Sequence, residues 1–437
     1  MTDSLYVFAE GVLIGEIHET SPLSFSYSEA CLRGAAHSPF ADLIPVQSGK
    51  IDAPCVTSFF ENLLPEGSQR DFLSARFHVT TVFGLLKKAG WDVAGALVIW
   101  PEASLPDEHE CIKSSWSDIR RMIKEPSSED ADSEATEFLK TPNLSGAQIK
   151  YVLRMQDGVP YLPISPSAST HILKPDIQMP VGKVWNSAFN EAFIMRLAAM
   201  CGLEVAQTEY IQEVESCLIE RYDREVQGDR TIRLHQADIC QFSNIPSTEK
   251  YESNGGPSFA QCYRVVKEHS ALPVADCKRL QQWLFFNLCI GNNDSHGKNA
   301  SLYHVPGEGL RLTPFYDLMC TRVYSGLSGN FAFKVGEHYA PGKIARADIE
   351  TLAAEIGVAP KTMLKNCAGM IEQVELHLPA VMQSFPAIGH NEKRLAQRIE
   401  QQIKTITKQM RGRVLGGGRV DDDRDEEDFG ASPAPMG

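Results

Sequence analysis

No apolar run in this chain approaches the ~20 residues that cross a bilayer, so no membrane span is expected. The opening stretch MTDSLYVFAEGVLIGEIHE has an acid at position 3 and no basic segment before its apolar residues. It reads as a strand entering a fold, not as a signal peptide. No C-x-x-C pair occurs among the 11 cysteines, and their number is odd. Both facts argue against a zinc cluster and against a secreted disulfide framework, leaving core thiols in a reducing cytoplasm. An excess of positive charge is also missing. The net charge of −14 disfavours free nucleic acid as the main ligand, because phosphate binding needs a positive field. One basic stretch, KRLAQRIEQQIKTITKQMRGR from Lys393 to Arg413, runs against that trend. Its spacing is helical, and its charges suit a solvated helix face better than a phosphate-binding surface. Internal repeats are absent.

What is present is an ordinary globular composition, 43% hydrophobic and 22% charged, over 437 residues. That length exceeds one compact core, so two or three domains are expected. The first hundred residues alternate β-like runs with short amphipathic helices. CVTSFFENLLPEG reads as a helix ended at Pro65-Glu66-Gly67, with ENLLPEG packing the N-terminal module. VAGALVIW, Val93 to Trp100, reads as a buried strand. Residues 125–137 are acidic and Ser-rich, the composition of a linker. QIKYVLRM, GVPYLPIS and STHILKP are strand-like, NEAFIMRLAAMCGL is helical, and TEYIQEVESCLIERY returns to strand. From about Gln236 the pattern is mostly helical, interrupted by one hairpin, ASLYHV-PGEG-LRLTP. RLHQADICQ places His235, Asp238 and Cys240 together, but no second cluster accompanies them, so a helix start is expected instead of a metal site. KYESNGGP reads as a turn. The last 23 residues are nearly devoid of apolar side chains and are expected to be disordered.

The chemistry centres on GNNDSHGKN, Gly291 to Asn299. Asp294 and Asn299 are five residues apart, the Asp-to-Asn spacing of kinase catalytic loops. One loop then does two jobs: the Asp accepts the proton of the attacking hydroxyl and the Asn presents a carbonyl oxygen to Mg²⁺. Alone this pattern is weak. Three features add weight. The hairpin that follows delivers a second acid, Asp317, and magnesium prefers one or two carboxylates plus phosphate oxygens. Lys174 ends a strand-like run, where it can reach phosphates as a point charge. Glu191 opens the helix that follows 17 residues on and can orient Lys174. In LSGAQIK, the small residues Ser145, Gly146 and Ala147 let backbone N–H groups approach phosphates. Glu220 to Tyr222, at the crossing CLIERYDRE, offers backbone groups and an aromatic wall to an adenine.

The set FFENLLPEG, DVAGAL, SGAQIKYVL, THILKP, NEAFIMRLA, ERYDR, RLHQADICQ, KYESNGGP, NNDSHGKN and LTPFYDL resembles the HipA family of toxin serine/threonine kinases, in family order from about residue 5 to about 375. The resemblance implies an α+β, bilobal protein-kinase-like fold with an extra N-terminal β-rich subdomain and a mostly helical C-lobe. The implied division is 1–105 for that subdomain, 106–218 for the N-lobe, 219–414 for the C-lobe and 415–437 for an acidic disordered tail. It implies ATP and Mg²⁺ as co-substrates, Asp294 as base, Asn299 and Asp317 as metal ligands, and Lys174 as the phosphate lysine. Ser145, Gly146, Ala147, Gln148, Lys150, Glu220, Tyr222, His296 and Lys298 are the further nucleotide-contacting candidates. Ser145 is also a candidate autophosphorylation site, although Asn143 stands where some members carry that serine. The implied partners are a protein substrate such as an aminoacyl-tRNA synthetase and a HipB-like helix-turn-helix antitoxin, with DNA reached only through it. Growth inhibition in the cytoplasm is the implied outcome. A non-catalytic nucleotide-binding module and a small-molecule phosphotransferase are the alternatives.

Overall fold

The computed structural model describes residues 3–106, 110–124, 146, 148–177, 184–228, 230–385 and 388–416. The acidic stretch 125–137, Asn143, Ser145, Ala147 and the tail beyond 416 lie outside the described residues. The fold is α+β and bilobal, preceded by a β-rich subdomain.

That subdomain begins with β1 (Ser4–Ala9) and β2 (Val12–His18), an antiparallel hairpin. β3 (Ser24–Tyr27), β4 (Lys50–Ile51) and β5 (Leu97–Trp100) complete a sheet of order β4-β3-β2-β1-β5. Helices α1 (Glu29–Leu32), α2 (Pro54–Glu61), α3 (Gly67–Phe77) and α4 (Val82–Ala89) accompany it. Leu5 and Val7 alternate inward from β1 and meet Phe25, Phe40, Phe59 and Phe60 in a separate core. α2 ends at Glu61, a turn before the Pro65-Glu66-Gly67 stop read from sequence.

The N-lobe holds β6 (Cys111–Lys113), α5 (Trp116–Lys124), β7 (Tyr151–Gln156), β8 (Val159–Pro163) and β9 (His171–Pro175). After α6 (Ser187–Met200) come β10 (Thr208–Ile211) and β11 (Ser216–Glu220). The sheet is antiparallel, in the order β10-β11-β9-β7-β8-β6. α6 is buried on almost every face, as a helix wedged between a sheet and a second lobe must be. It starts at Ser187, so Glu191 stands in its second turn and not at its opening.

The C-lobe opens with a hairpin of β12 (Arg224–Gln227) and β13 (Arg230–Arg233) that the sequence reading missed. β14 (Gln236–Asp238) pairs with β15 (Ser301–Val305), which pairs with β16 (Gly309–Leu312). The helices of this lobe are α7 (Ile239–Phe242), α8 (Phe259–His269), α9 (Pro273–Ile290), α10 (Arg346–Glu355), α11 (Pro360–Gln383) and α12 (His390–Met410), with an irregular segment over 313–345 between β16 and α10. α9 carries Leu280, Trp283, Leu284, Phe285 and Phe286 into the centre of this core. The helix start expected at RLHQADICQ is present: Asp238 caps α7, with Gln241 closing a capping box.

The expected strand over Val93–Trp100 is shorter, because its first half bonds elsewhere. The Gly95 N–H donates to Asp223 Oδ2 at 2.7 Å, and its carbonyl accepts from Arg224 Nη1 at 2.9 Å. Asp92 joins the same knot, 3.3 Å from Arg221 and 3.0 Å from Arg224. Asp223 lies 2.9 Å from each of those arginines. All four charged side chains are buried. Burial opposes the charge on both carboxyls, yet the arginines outweigh it and hold them below the usual range. ERYDR and DVAGAL thus clamp the N-terminal subdomain onto the crossing between the lobes.

Candidate active site

α9 stops at Gly291, whose φ of 68° gives the left-handed C-cap that releases the chain into the loop. Asparagines then brace the loop. Asn292 Nδ2 donates to Asn287 Oδ1 at 2.8 Å, and Asn292 Oδ1 accepts from the Asp294 N–H at 3.2 Å. The Asn293 N–H donates to Thr321 Oγ1 at 2.8 Å, and its amide to the Ser328 carbonyl at 2.9 Å. Asn299 Nδ2 donates to the Asp294 carbonyl at 2.8 Å, which turns its Oδ1 away from the loop backbone. Gly297 is a close approach: a Cβ there would lie 2.4 Å from Pro257 Cγ. The end of KYESNGGP therefore presses directly on the loop.

Lys174, from β9, sits behind that loop. Its ammonium is 2.7 Å from Glu191 Oε1 and 2.7 Å from Asp317 Oδ1. Glu191 is fully buried, whereas the Asp317 side chain is one-third open to the cleft. Burial disfavours the charge on both Lys174 and Asp317. Their attraction prevails: it raises the lysine and, with Lys150, holds the Asp317 carboxyl well below the carboxylate range. Asp317 adopts φ 59°, a left-handed conformation that non-glycine residues take up rarely and Asp more readily than most.

The opposite wall comes from segments far away in sequence. Tyr251 Oη donates a short hydrogen bond to Asp294 Oδ1. Burial pushes the Asp294 carboxyl up to about 6, with Lys250 and the Tyr251 bond pulling the other way. Glu66, just past α2, takes Lys250 at 2.8 Å and lies 3.7 Å from Lys298. Burial raises the Glu66 carboxyl, but the two lysines outweigh it and bring it down to about 2. Lys298 lines the cleft with its ammonium turned to Asn62 Oδ1 at 2.6 Å and Asp238 Oδ2 at 2.8 Å. ENLLPEG therefore does more than pack its own module; Asn62 and Glu66 form part of the site. His296 is buried, its Nδ1 has no hydrogen-bond partner among the described residues, and burial holds the ring neutral, well below its usual pKa.

Between these walls lies a cleft of about 330 Å³. Asp294, His296, Asn299, Asp317 and Lys174 line it, as do Gly146, Gln148, Lys150, Glu220 and Tyr222. Gly146 meets the N-terminal subdomain, its carbonyl accepting from the Glu66 N–H at 3.1 Å. Gln148 Nε2 donates to the Pro175 carbonyl at 2.9 Å. Burial lowers the Lys150 ammonium to about 8, and neighbouring Lys174 pushes the same way. At the crossing, the Glu220 N–H goes to Gln207 and the Arg221 N–H to Thr170. The Tyr222 ring stacks on Tyr316 with 5.9 Å between centroids, and its hydroxyl donates to Gln236 Oε1 at 2.5 Å.

Asn62, Glu66, Asp238, Lys250 and Tyr251 escaped sequence reasoning as site residues. Their stretches stood out as matching segments, but no spacing rule links Glu66 to Lys250, 184 positions away.

Residues 5–100 match the HipA N-terminal domain, and residues 143–381 match the HipA-like C-terminal domain. Y4mE of Sinorhizobium fredii is 33% identical over 382 residues, which cover 84% of this chain and 89% of that protein. The serine/threonine-protein kinase toxin HipA of Shewanella oneidensis is 26% identical, over 81% of this chain and 83% of that protein. A chain of the Shewanella oneidensis toxin–antitoxin complex of HipA, HipB and operator DNA shares the fold, with a TM-score of 0.80 at 23% identity. That superposition covers 95% of this chain and 100% of the other. By its two matched domains and these relatives, the chain belongs to the HipA family.

Proposed function

We propose that this chain is an ATP- and Mg²⁺-dependent protein serine/threonine kinase of the HipA toxin type. The observation that carries the reading is one ammonium, Lys174, held between a fully buried Glu191 and the cleft-facing Asp317, across from Asp294. A phosphoryl-transfer site is mostly positioning and charge stabilisation, and these residues supply both. Asp294 is the base that takes the proton of the acceptor hydroxyl. Asn299 Oδ1 and the Asp317 carboxylate suit Mg²⁺, a hard cation that takes one or two protein oxygens and fills its shell with phosphate and water. Bound there, the ion would neutralise charge developing on the transferred group. Lys174 and Lys150 address the phosphates beside Gly146 and Gln148. The backbone of Glu220 to Tyr222, which lines the cleft, would hold the adenine, with the Tyr222 ring as a wall. Lys298, turned to Asn62 and Asp238, braces the loop, and neutral His296 packs edge-on against Tyr251 without competing as a second base.

The working division is 1–105, 106–218 and 219–414 for subdomain, N-lobe and C-lobe, with 415–437 as an acidic extension. All 11 cysteines are free, which suits a reducing cytoplasm. No helix among the described residues is long and apolar enough to cross a membrane. The relative's complex with HipB and operator DNA supports a HipB-like antitoxin as partner. An aminoacyl-tRNA synthetase is the proposed substrate, with arrested growth as the outcome.

Phosphoproteomics of cells expressing wild type or Asp294→Asn tests the reading. A synthetase phosphopeptide seen only with wild type supports it. Identical phosphoproteomes would remove the kinase reading, and a different protein target would replace the synthetase.

A further inference from the structure

We propose that Glu66, Lys250 and Tyr251 form a positioning chain through which the N-terminal subdomain fixes the carboxylate of Asp294. This inference rests on the kinase reading and extends it to Glu66, a residue outside the kinase lobes.

The chain has three contacts. Glu66 Oε2 takes the Lys250 ammonium at 2.8 Å, both side chains being buried. That ammonium stands 5.6 Å from the centroid of the Tyr251 ring, within the range of a cation–π contact. Tyr251 Oη donates to Asp294 Oδ1. The ring is also steadied edge-on by His296, with 5.0 Å between centroids and planes 89° apart.

The consequence lies at the carboxylate. The last torsion of an Asp side chain is broad and soft, so nothing intrinsic fixes which oxygen faces a substrate. Here Oδ1 is committed to Tyr251, while Oδ2 accepts no hydrogen bond from any described residue. Oδ2 is therefore the oxygen left to receive the acceptor proton, and the Tyr251 bond holds it in place. Misplacement of a reacting group by about 1 Å costs on the order of a hundredfold in rate. The Glu66 backbone N–H also donates to the Gly146 carbonyl at 3.1 Å, so Glu66 sits where the subdomain meets the phosphate segment. On this reading the N-terminal subdomain is a working part of the active site.

The test measures ADP release from Mg²⁺-ATP with casein as acceptor, for wild type, Asp294→Asn, Tyr251→Phe, Glu66→Gln and the Glu66→Gln/Tyr251→Phe double variant. Tyr251→Phe keeps the ring and removes only the hydroxyl. The expected result is a kcat about tenfold or more lower, with KM for ATP within twofold of wild type and an unchanged melting temperature. Glu66→Gln should lower kcat less, and the double variant should lose no more than Tyr251→Phe alone, because coupled residues are not additive. If Tyr251→Phe retains wild-type kcat, or if the two losses multiply, the positioning chain is wrong. If Tyr251→Phe misfolds, the Glu66→Gln variant decides: an unchanged kcat overturns the chain, and a reduced kcat at unchanged ATP affinity supports it. Failure of the kinase reading looks different: wild type and Asp294→Asn would then release ADP at the same rate, and the positioning chain would fall with it.

Discussion

The ammonium of Lys174 lies 2.7 Å from Asp317 Oδ1, although the two residues are 143 positions apart. The same ammonium meets Glu191 at 2.7 Å. One cation thus serves a carboxylate sealed in the core and another open to the cleft. On the proposed kinase reading, a phosphate oxygen would replace Asp317 on that cation and free Asp317 for a metal, without leaving Glu191 uncompensated. Asp317 presents this partly open carboxylate from a left-handed backbone, φ 59°.

Lys174→Met breaks the arrangement by stranding Glu191. Removing one partner of a buried ion pair costs about 3–5 kcal/mol, so urea unfolding should show a loss of that order. Lys174→Met/Glu191→Gln should recover most of it while remaining inactive. A single variant as stable as wild type would mean that Glu191 is protonated in the fold.

The Asp294 carboxyl, pushed up to about 6 by burial, sets a pH profile. A base must be ionised, so kcat/KM should be flat near neutrality and fall about tenfold per pH unit below 6. Stability moves in the opposite sense. The folded state binds this proton more tightly than the unfolded chain, so the contribution is full below the unfolded pKa near 4 and is lost as pH rises through 6. Asp294→Asn should therefore stabilise the protein at pH 8, by on the order of 1 kcal/mol after solvent screening, and leave it unchanged at pH 4. Thermal melts at the two pH values check this.

Asp92 anchors the N-terminal subdomain to Arg221 and Arg224 at the lobe crossing. Asp92→Ala leaves buried guanidinium groups under-compensated, at a cost of about 3–5 kcal/mol. Calorimetry should show the subdomain melting ahead of the kinase lobes in the variant. One unshifted transition would contradict the clamp.

At Gly297 the neighbour is Pro257, 2.4 Å from where a Cβ would stand. Gly297→Ala should cost roughly 1–3 kcal/mol, as overpacking does. Its kcat should fall, because the displaced segment carries Tyr251. Full activity and stability would mean that the loop yields without moving that segment.

The parts legible in the sequence were those with local rules. The five-residue Asp294–Asn299 spacing, the hairpin leading to Asp317 and the helix carrying Glu191 all follow from short-range pattern; the structure brings Asp294, Asn299 and Asp317 to one cleft, with Glu191 buried behind it on Lys174. What stayed hidden was long-range. β12 and β13 were missed because REVQ and RTIR each carry a single apolar residue, Val226 and Ile232, too few to mark an apolar face. The strand at Val93 was overextended because its apolar run looks continuous, while Gly95 gives both its backbone groups to Asp223 and Arg224. Glu66 stands at the N-cap of α3 and Tyr251 in a bend, and local composition at either place says nothing of a partner across the cleft.

The most direct measurement is transfer of ³²P from [γ-³²P]ATP to protein, with Mg²⁺, by purified wild type and Asp294→Asn. General-base catalysis is worth roughly 10²–10⁴-fold. Asp294→Asn should therefore lose labelling by at least a hundredfold while binding ATP as wild type does. Equal labelling by the two proteins would contradict the assignment of Asp294, and with it the kinase mechanism.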